Sequence, residues 1–188
     1  PLEEVYAYPP NWIPGNFQWE NYIKAWNAAP FDRYAFNSIV VTTVIIASQL
    51  FFAALAAYVF ARLHFPGRDL IFLAFLATMM VPTQVVVVPI FLIFTFLGWI
   101  DTYAGLTVPF LVSAFGTFLI RQSFMTIPEE LVDAARIDGA GHIRIIWNGL
   151  VPNSVPAFLS FGLLTFTWRW NDYFWPLIMT NSTEMRTL

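Results

Sequence analysis

Three long runs without a charged residue, and a fourth whose only charges are Arg169 and Asp172, dominate the order of apolar and polar positions along the chain. Ser38 to Ala61 holds 24 uncharged residues, enough at about 1.5 Å per helical residue to cross a hydrocarbon core of about 30 Å. Ala53, Ala54, Ala56 and Ala57 in this run permit close helix packing. Arg62 to Asp69 then reads as a short turn. Leu70 to Ile100 is uncharged for 31 residues, too long for one straight untilted span, and Pro82 and Pro89 predict a kink or break inside it. Gly98 to Asp101 reads as a tight loop. Thr102 to Ile120 forms a third run, interrupted by Pro109 and Gly116, and a fourth extends from about Leu150 to Met179. The expected fold is an all-α, polytopic transmembrane helical bundle with spans near 38–61, 70–97, 104–121 and 150–178.

A polar island from Thr126 to Pro152 lies between the third and fourth runs. Thr126 and Glu129 have capping-box spacing, Pro128 stands in the first turn, and Glu129, Glu130 and Asp133 put negative charge at the positive end of a helix dipole. Leu131, Ala134, Ala135 and Asp138 follow at helical spacing and predict a narrow face of mostly small residues. Gly139 supplies the stop. A second short helix, about 143 to 148, is expected to carry Ile143, Ile146 and Trp147 on one side before Gly149 and Pro152 end it. Residues 122–149 thus read as a helix-turn-helix loop whose small face admits a partner's backbone.

Composition narrows the class. With 58% hydrophobic, 19% aromatic and 11% charged residues, the chain falls outside the range of soluble domains. The absence of cysteine excludes disulfides and thiolate metal sites. A net charge of −3 without a basic cluster gives no reason to expect a nucleic-acid partner. Residues 1–35 are polar-aromatic, with Trp12, Phe17, Trp19, Tyr22, Trp26, Phe31 and Tyr34 among prolines and acids. They lack the pattern of a signal peptide and read as a segment folded at the membrane interface.

The polar island carries a resemblance. Asp133-Ala134-Ala135, three residues, Gly139, nine residues and Gly149-Leu150-Val151-Pro152 are similar in spacing to the EAA loop of the permease subunits of binding-protein-dependent ABC importers. Ala134 to Ala140 resembles the carbohydrate-uptake, maltose-type class in particular, as does Trp170-Asn-Asp-Tyr-Phe-Trp-Pro-Leu177. Three positions depart from the pattern: Asp133 for Glu, Gly149 for Ile and Val151 for Leu. The resemblance implies a cytoplasmic coupling loop in which Glu130, Asp133, Ala134, Ala135, Arg136, Asp138, Gly139 and Pro152 receive an ATPase. It further implies a second, homologous permease, two ATP-binding cassette subunits holding ATP and Mg, and a soluble solute-binding protein. Further membrane helices are expected before residue 1 and after Leu188.

Charge supports an orientation without the resemblance. Arg62, Arg68, Arg121, Arg136 and Arg144, five of the nine basic residues, fall in two loops separated by two spans. The positive-inside rule puts those loops in the cytoplasm of a bacterial or archaeal inner membrane, with 1–35, 98–101 and the end of the chain outside.

The remaining chemistry is sparse. The only lysine is Lys24, so no phosphate-binding loop of the G-x-x-x-x-G-K type exists here, no cofactor is expected in this chain, and ATP hydrolysis is assigned to another subunit. The chain itself is read as a transporter and not an enzyme. Rival readings, an intramembrane enzyme or a structural scaffold, lack a paired-acid or His/Glu metal set and leave the polar island unexplained. Arg169 and Asp172 in the last run fit a structural pair or a pathway contact. Asn171 with Trp170 suits a sugar, by amide bonding and aromatic stacking, and also suits an interface anchor. Thr83 and Gln84, after Pro82, fit packing or a cavity lining. His64 and His142 read as solvated or interface residues without a partner. The solute expected is a sugar, with glycerol phosphate or another polar solute as the alternative.

Overall fold

The computed structural model describes Tyr8 and residues 17–188; Trp12 lies outside the described residues. Helix α1 (Glu20–Ala28) is short, amphipathic and solvent-exposed. Helix α2 (Phe31–Arg62) follows after Ala29 and Pro30 and is long and apolar enough to cross a membrane alone. The other expected spans are bent pairs. Helix α3 (Arg68–Met80) meets α4 (Thr83–Phe96) at 92°, α5 (Tyr103–Phe110) meets α6 (Ala114–Thr126) at 44°, and α8 (His142–Asn153) meets α9 (Val155–Trp170) at 82°. Between them lies α7 (Glu129–Ile137), and α10 (Phe174–Met179) closes the series.

Each bend has a local cause. Pro82 has an extended ψ of 134°, which stops the preceding turn, and its ring cannot continue the helix. Pro89 stays inside α4 without breaking it, so of the two prolines expected to interrupt this run only Pro82 does so. Ser113 is extended and its hydroxyl accepts the amide of Gly116, restarting the helix as an N-cap. Pro156 sits in the first turn of α9, where a missing amide costs nothing. The fourth run therefore contains two breaks, at Ser154 and again at 171–173, where one continuous span over 150–178 was expected.

Helices α2 and α6 form the spine. Four side-chain bonds join α2 to the α5–α6 unit, and their sequence separations barely change. Tyr103 donates to Asn37 across 66 positions, Gln49 to the Phe110 carbonyl across 61, Arg121 to the Phe60 carbonyl across 61, and Arg62 to the Phe124 carbonyl across 62. A near-constant offset means that the two segments run parallel and in register. Thr165 of α9 donates to the Gln49 side chain at 3.2 Å and ties a third span into the same contact. Gln49 thus satisfies a carbonyl that the break after Phe110 leaves without a helical donor.

Packing follows small residues. In lipid, apolar surface alone does not drive helices together, and interfaces are selected by close fit. Ala53, Ala54 and Ala57 of α2 are fully buried against Ile120, Phe124, Ile127, Val132, Ile145, Ile146, Leu150 and Phe161. This inner core fastens the loop between α6 and α8 to the bundle. A second core at the opposite end gathers Val41, Ile45, Val87, Phe94, Leu106, Trp175 and Met179.

Candidate functional site

Helix α7 is the exposed limb of the loop. Val132 is buried and Ala135 half-buried against the inner core, whereas Leu131, Ala134, Ile137 and Asp138 face outward, Ile137 at 87% exposure. This corrects the face expected from spacing: Ala135 turns inward and Ile137 takes its place outside. The capping box is not formed either. Helix α6 continues to Thr126, whose hydroxyl donates back to the Ser123 carbonyl, and α7 begins after Pro128 with no side-chain cap. Glu129 and Glu130 still occupy the first turn, where the dipole favours them.

The stop behaves as the glycine predicts. Gly139 has φ of +78°, its amide bonds the Arg136 carbonyl, and the Ala140 amide bonds the Ala135 carbonyl at 2.9 Å. That pair of bonds is a Schellman motif, and it requires a left-handed residue at this position. Asp133 and Arg136 are paired at 3.1 Å and largely exposed, an interaction of small energetic weight. Glu130, Asp138 and Pro152 are exposed, Pro152 on the last turn of α8.

The second limb, α8, is wound loosely over Ile145–Leu150, with i to i+5 geometry. This winding redistributes its faces. Ile145, Ile146 and Leu150 enter the core, while Ile143 stays 62% exposed and Trp147 stacks on Phe51 with centroids 5.8 Å apart. Ile143, Ile146 and Trp147 therefore do not share a side. His142 is not without a partner: its Nδ1 lies 2.6 Å from the hydroxyl of buried Tyr58. His64 is exposed, as expected.

At the other end, Arg169 and Asp172 form an ion pair at 2.8 Å, and the guanidinium lies 3.8 Å above the Phe110 ring. The second carboxylate oxygen of Asp172 accepts the Trp175 amide, and the Trp175 indole donates to the Gly105 carbonyl. The pair thus anchors α10 to α5. Trp170 stacks on Phe166, and Asn171 is exposed with its amide donating to the Thr167 carbonyl at 2.7 Å. Trp170 and Asp172 line a cavity of about 20 Å³, room for one water and not for a sugar. Thr83 and Gln84 are exposed on the first turn of α4 and do not reach that cavity.

Several polar anchors escaped the sequence reading, Gln49 among them. Asn37, fully buried, donates to the carbonyls of Glu184 and Arg186, both at 2.8 Å. Asp101 accepts the amides of Asn181 and Ser182. Partial burial pushes the Asp101 carboxyl up, but the amide and hydroxyl of Ser182 and the amide of Asn181 outweigh this and hold it below the ordinary value. Together these bonds fasten residues 180–188 across the end of the bundle. Arg62, read only as a topogenic charge, is buried and donates to the carbonyls of Phe124 and Ile127. A polar residue at the start of an apolar run, or inside one, was the available signal for Asn37 and Gln49.

Residues 34–188 match the model of the binding-protein-dependent transport system inner membrane component family. The chain belongs to that family. It is 38% identical over 190 residues to the sn-glycerol-3-phosphate transport system permease protein UgpE of Yersinia enterocolitica, covering 98% of this chain and 68% of that protein. The Escherichia coli O1:K1 protein of the same name is 38% identical over 191 residues, with the same coverage. The permease fold also matches a chain in the crystal structure of a bacterial ABC transporter involved in the import of the acidic polysaccharide alginate. The TM-score there is 0.84 and the identity 28%, over 92% of this chain; the chain spans 61% of the length of that solved chain. The all-α bundle and the exposed helix-turn-helix thus sit in a family of inner-membrane transport components.

Proposed function

We propose that this permease is one of two membrane-spanning subunits of an ATP-driven importer, and that its α7–α8 loop receives an ATPase subunit in the cytoplasm. The observation that carries the reading is the loop's two-sided construction. Val132, Ile145, Ile146 and Leu150 seat it on the bundle, while Leu131, Ala134, Ile137 and Ile143 remain outside without a cover. A surface helix that shows apolar side chains on a rigid mount is suited to enter a partner's cleft. Two ATP-binding cassette subunits would hold ATP and Mg, a second homologous permease would complete the pathway, and a soluble binding protein would deliver solute to the opposite end. The cavity at Trp170 is too small for a solute, which favours a pathway built between the two permeases.

The solute is proposed to be polyhydroxylated, with a carbohydrate as the first reading. The motif at Trp170–Leu177 and the alginate importer's fold favour it. The glycerol-phosphate relatives favour the second reading, an anionic polyol. Arg169 is already neutralised by Asp172, so a phosphate would take its counter-charge from elsewhere in the assembly.

Two measurements test the proposal. Gly139→Trp and Ala134→Arg are expected to insert normally while losing the ATPase subunits on purification; retention at the wild-type level would remove the docking role. Cysteines placed at Arg136 or His64 are expected to react with an impermeant thiol reagent only from the cytoplasm, and one at Asp101 only from outside. Labelling in the opposite sense would reverse the orientation.

A further inference from the structure

Tyr58 and Arg62 stand one turn apart on the same face of α2; Tyr58 bonds the start of α8 and Arg62 bonds the segment that leads from α6 into α7. The Tyr58 hydroxyl is 2.6 Å from Nδ1 of His142, the first residue of α8. The Arg62 guanidinium reaches the Phe124 carbonyl at 2.6 Å and the Ile127 carbonyl, where α6 ends and α7 is about to begin. Arg62 is 7% exposed and Tyr58 2%. Neither side chain is placed to touch a partner outside the chain.

Buried arginine without a carboxylate needs another source of negative potential. Here that source is geometric. Helices α2 and α6 run parallel, so their C-terminal ends meet, and each end carries unpaired carbonyls and about half a negative charge. Arg62 sits at the end of α2 and bonds the end of α6. Both carbonyls accept from the same guanidinium nitrogen, Nη2, so one atom of Arg62 holds the end of α6 and the entry to α7 together. The buried Nε has no acceptor among the described residues.

Resting on the importer reading above, we infer that Tyr58 and Arg62 are positioning residues that lock the start of α8 and the entry to α7 to α2, so that displacement of the loop by its partner is delivered to α2 as rigid-body movement. Apolar packing between the alanine face and the loop resists separation but permits sliding, because it is non-directional. The two hydrogen-bonded ties are directional and remove that freedom. The docking residues of α7, Leu131, Ala134 and Ile137, are exposed whereas Tyr58 and Arg62 are buried, so loss of a tie leaves the α7 docking face intact.

Spin labels at two exposed positions, introduced as Glu129→Cys on α7 and Phe36→Cys at the far end of α2, read this directly in the assembled importer. The chain has no native cysteine to interfere. In the wild type the distance between the labels is expected to stay constant between the nucleotide-free state and the ATP–vanadate state. In Tyr58→Phe and in Arg62→Gln it is expected to change with nucleotide, and its distribution without nucleotide to broaden about twofold as the loop opens locally. His142→Asn, which keeps an acceptor near Nδ1, should behave as wild type, and His142→Ala should behave as Tyr58→Phe. ATPase subunits should co-purify with all of them. A wild-type distance that shifts with nucleotide, or tie variants that hold it fixed with wild-type width, would overturn the inference. If the wild type retains no ATPase subunit, the importer reading fails instead, and the nucleotide-free width alone decides the ties. Should Arg62→Gln fail to fold, Tyr58→Phe, which removes one oxygen, carries the test.

Discussion

The ring of Phe161 in α9 occupies the space that a β-carbon on residue 116 of α6 would require. The glycine is therefore a steric necessity of the α6–α9 crossing and not a flexible point. Gly116→Ala is expected to destabilise the protein by about 1–3 kcal/mol through overpacking. Thermal unfolding in detergent would measure it, with Gly162→Ala as the control, because only Leu50 lies near that position, at ordinary van der Waals distance. Equal melting of the two variants would contradict the crossing described here.

Gln49 offers a second point of leverage. It donates to the Phe110 carbonyl at 2.7 Å and accepts from Thr165 at 3.2 Å, with 7% of its surface exposed. Gln49→Leu keeps the bulk and removes both bonds, and is expected to cost about 1–3 kcal/mol for leaving a buried carbonyl unpaired. Thr165→Val should cost less, since Gln49 keeps its main-chain acceptor. The reverse order in an unfolding titration would show that the carbonyl finds another donor.

Breaking the Arg169–Asp172 pair should harm the protein before it harms transport. Each side chain is about one-fifth exposed, 21% and 22%, so the expected loss for either single neutral substitution lies at or below the low end of the 3–5 kcal/mol typical of buried pairs, about 2–3 kcal/mol. The charge-swapped double variant should regain part of it, though not the Trp175 cap, which needs a carboxylate at 172. Asn171→Ala, by contrast, should leave assembly intact. A fall in uptake with normal assembly would place Asn171 on the pathway; unchanged uptake would leave it an interface anchor.

Asp101 makes the closure over residues 180–188 sensitive to acid. Its folded carboxyl titrates below its ordinary value, so the stabilisation is present in full above the unfolded pKa of about 4 and is lost as pH falls through the folded value. Amide exchange at Asn181 and Ser182 should accelerate below about pH 4 in the wild type. In Asp101→Asn, whose amide oxygen still accepts but carries no titrating charge, it should be intermediate at all pH and show no such step. Asparagine tolerates the left-handed backbone of residue 101, where φ is 62°, so the variant isolates the charge. A step that survives in Asp101→Asn would assign it to another group.

Much of this architecture was legible in the order of residues. The apolar runs located α2 and the three bent helix pairs whose composition suits a membrane, because a hydrocarbon core tolerates little else. Pro82 announced its bend, and the i, i+3 spacing of Arg169 and Asp172 announced their pairing. What stayed hidden was non-local or depended on winding. Tyr58 and His142 lie 84 positions apart, and nothing in either neighbourhood points to the other. Arg62 bonds carbonyls, which every residue possesses. The outward face of α8 was misread because its π-type turns shift side chains away from a 3.6-residue period. The capping box failed because Thr126 satisfied two patterns at once, the end of α6 and the start of α7, and the earlier helix kept it.

The matched offsets along α2 and the α5–α6 unit, 66, 61, 61 and 62 positions, have a mechanical consequence. A slip of one helix past the other by a single residue would break every cross-bond together, so small shear is blocked and the two helices tilt as a single beam. A push at one end then reappears as a swing at the other, about 48 Å away for a helix of 32 residues at about 1.5 Å each. That swing arrives where Asn37, held by Tyr103, grips the closing segment.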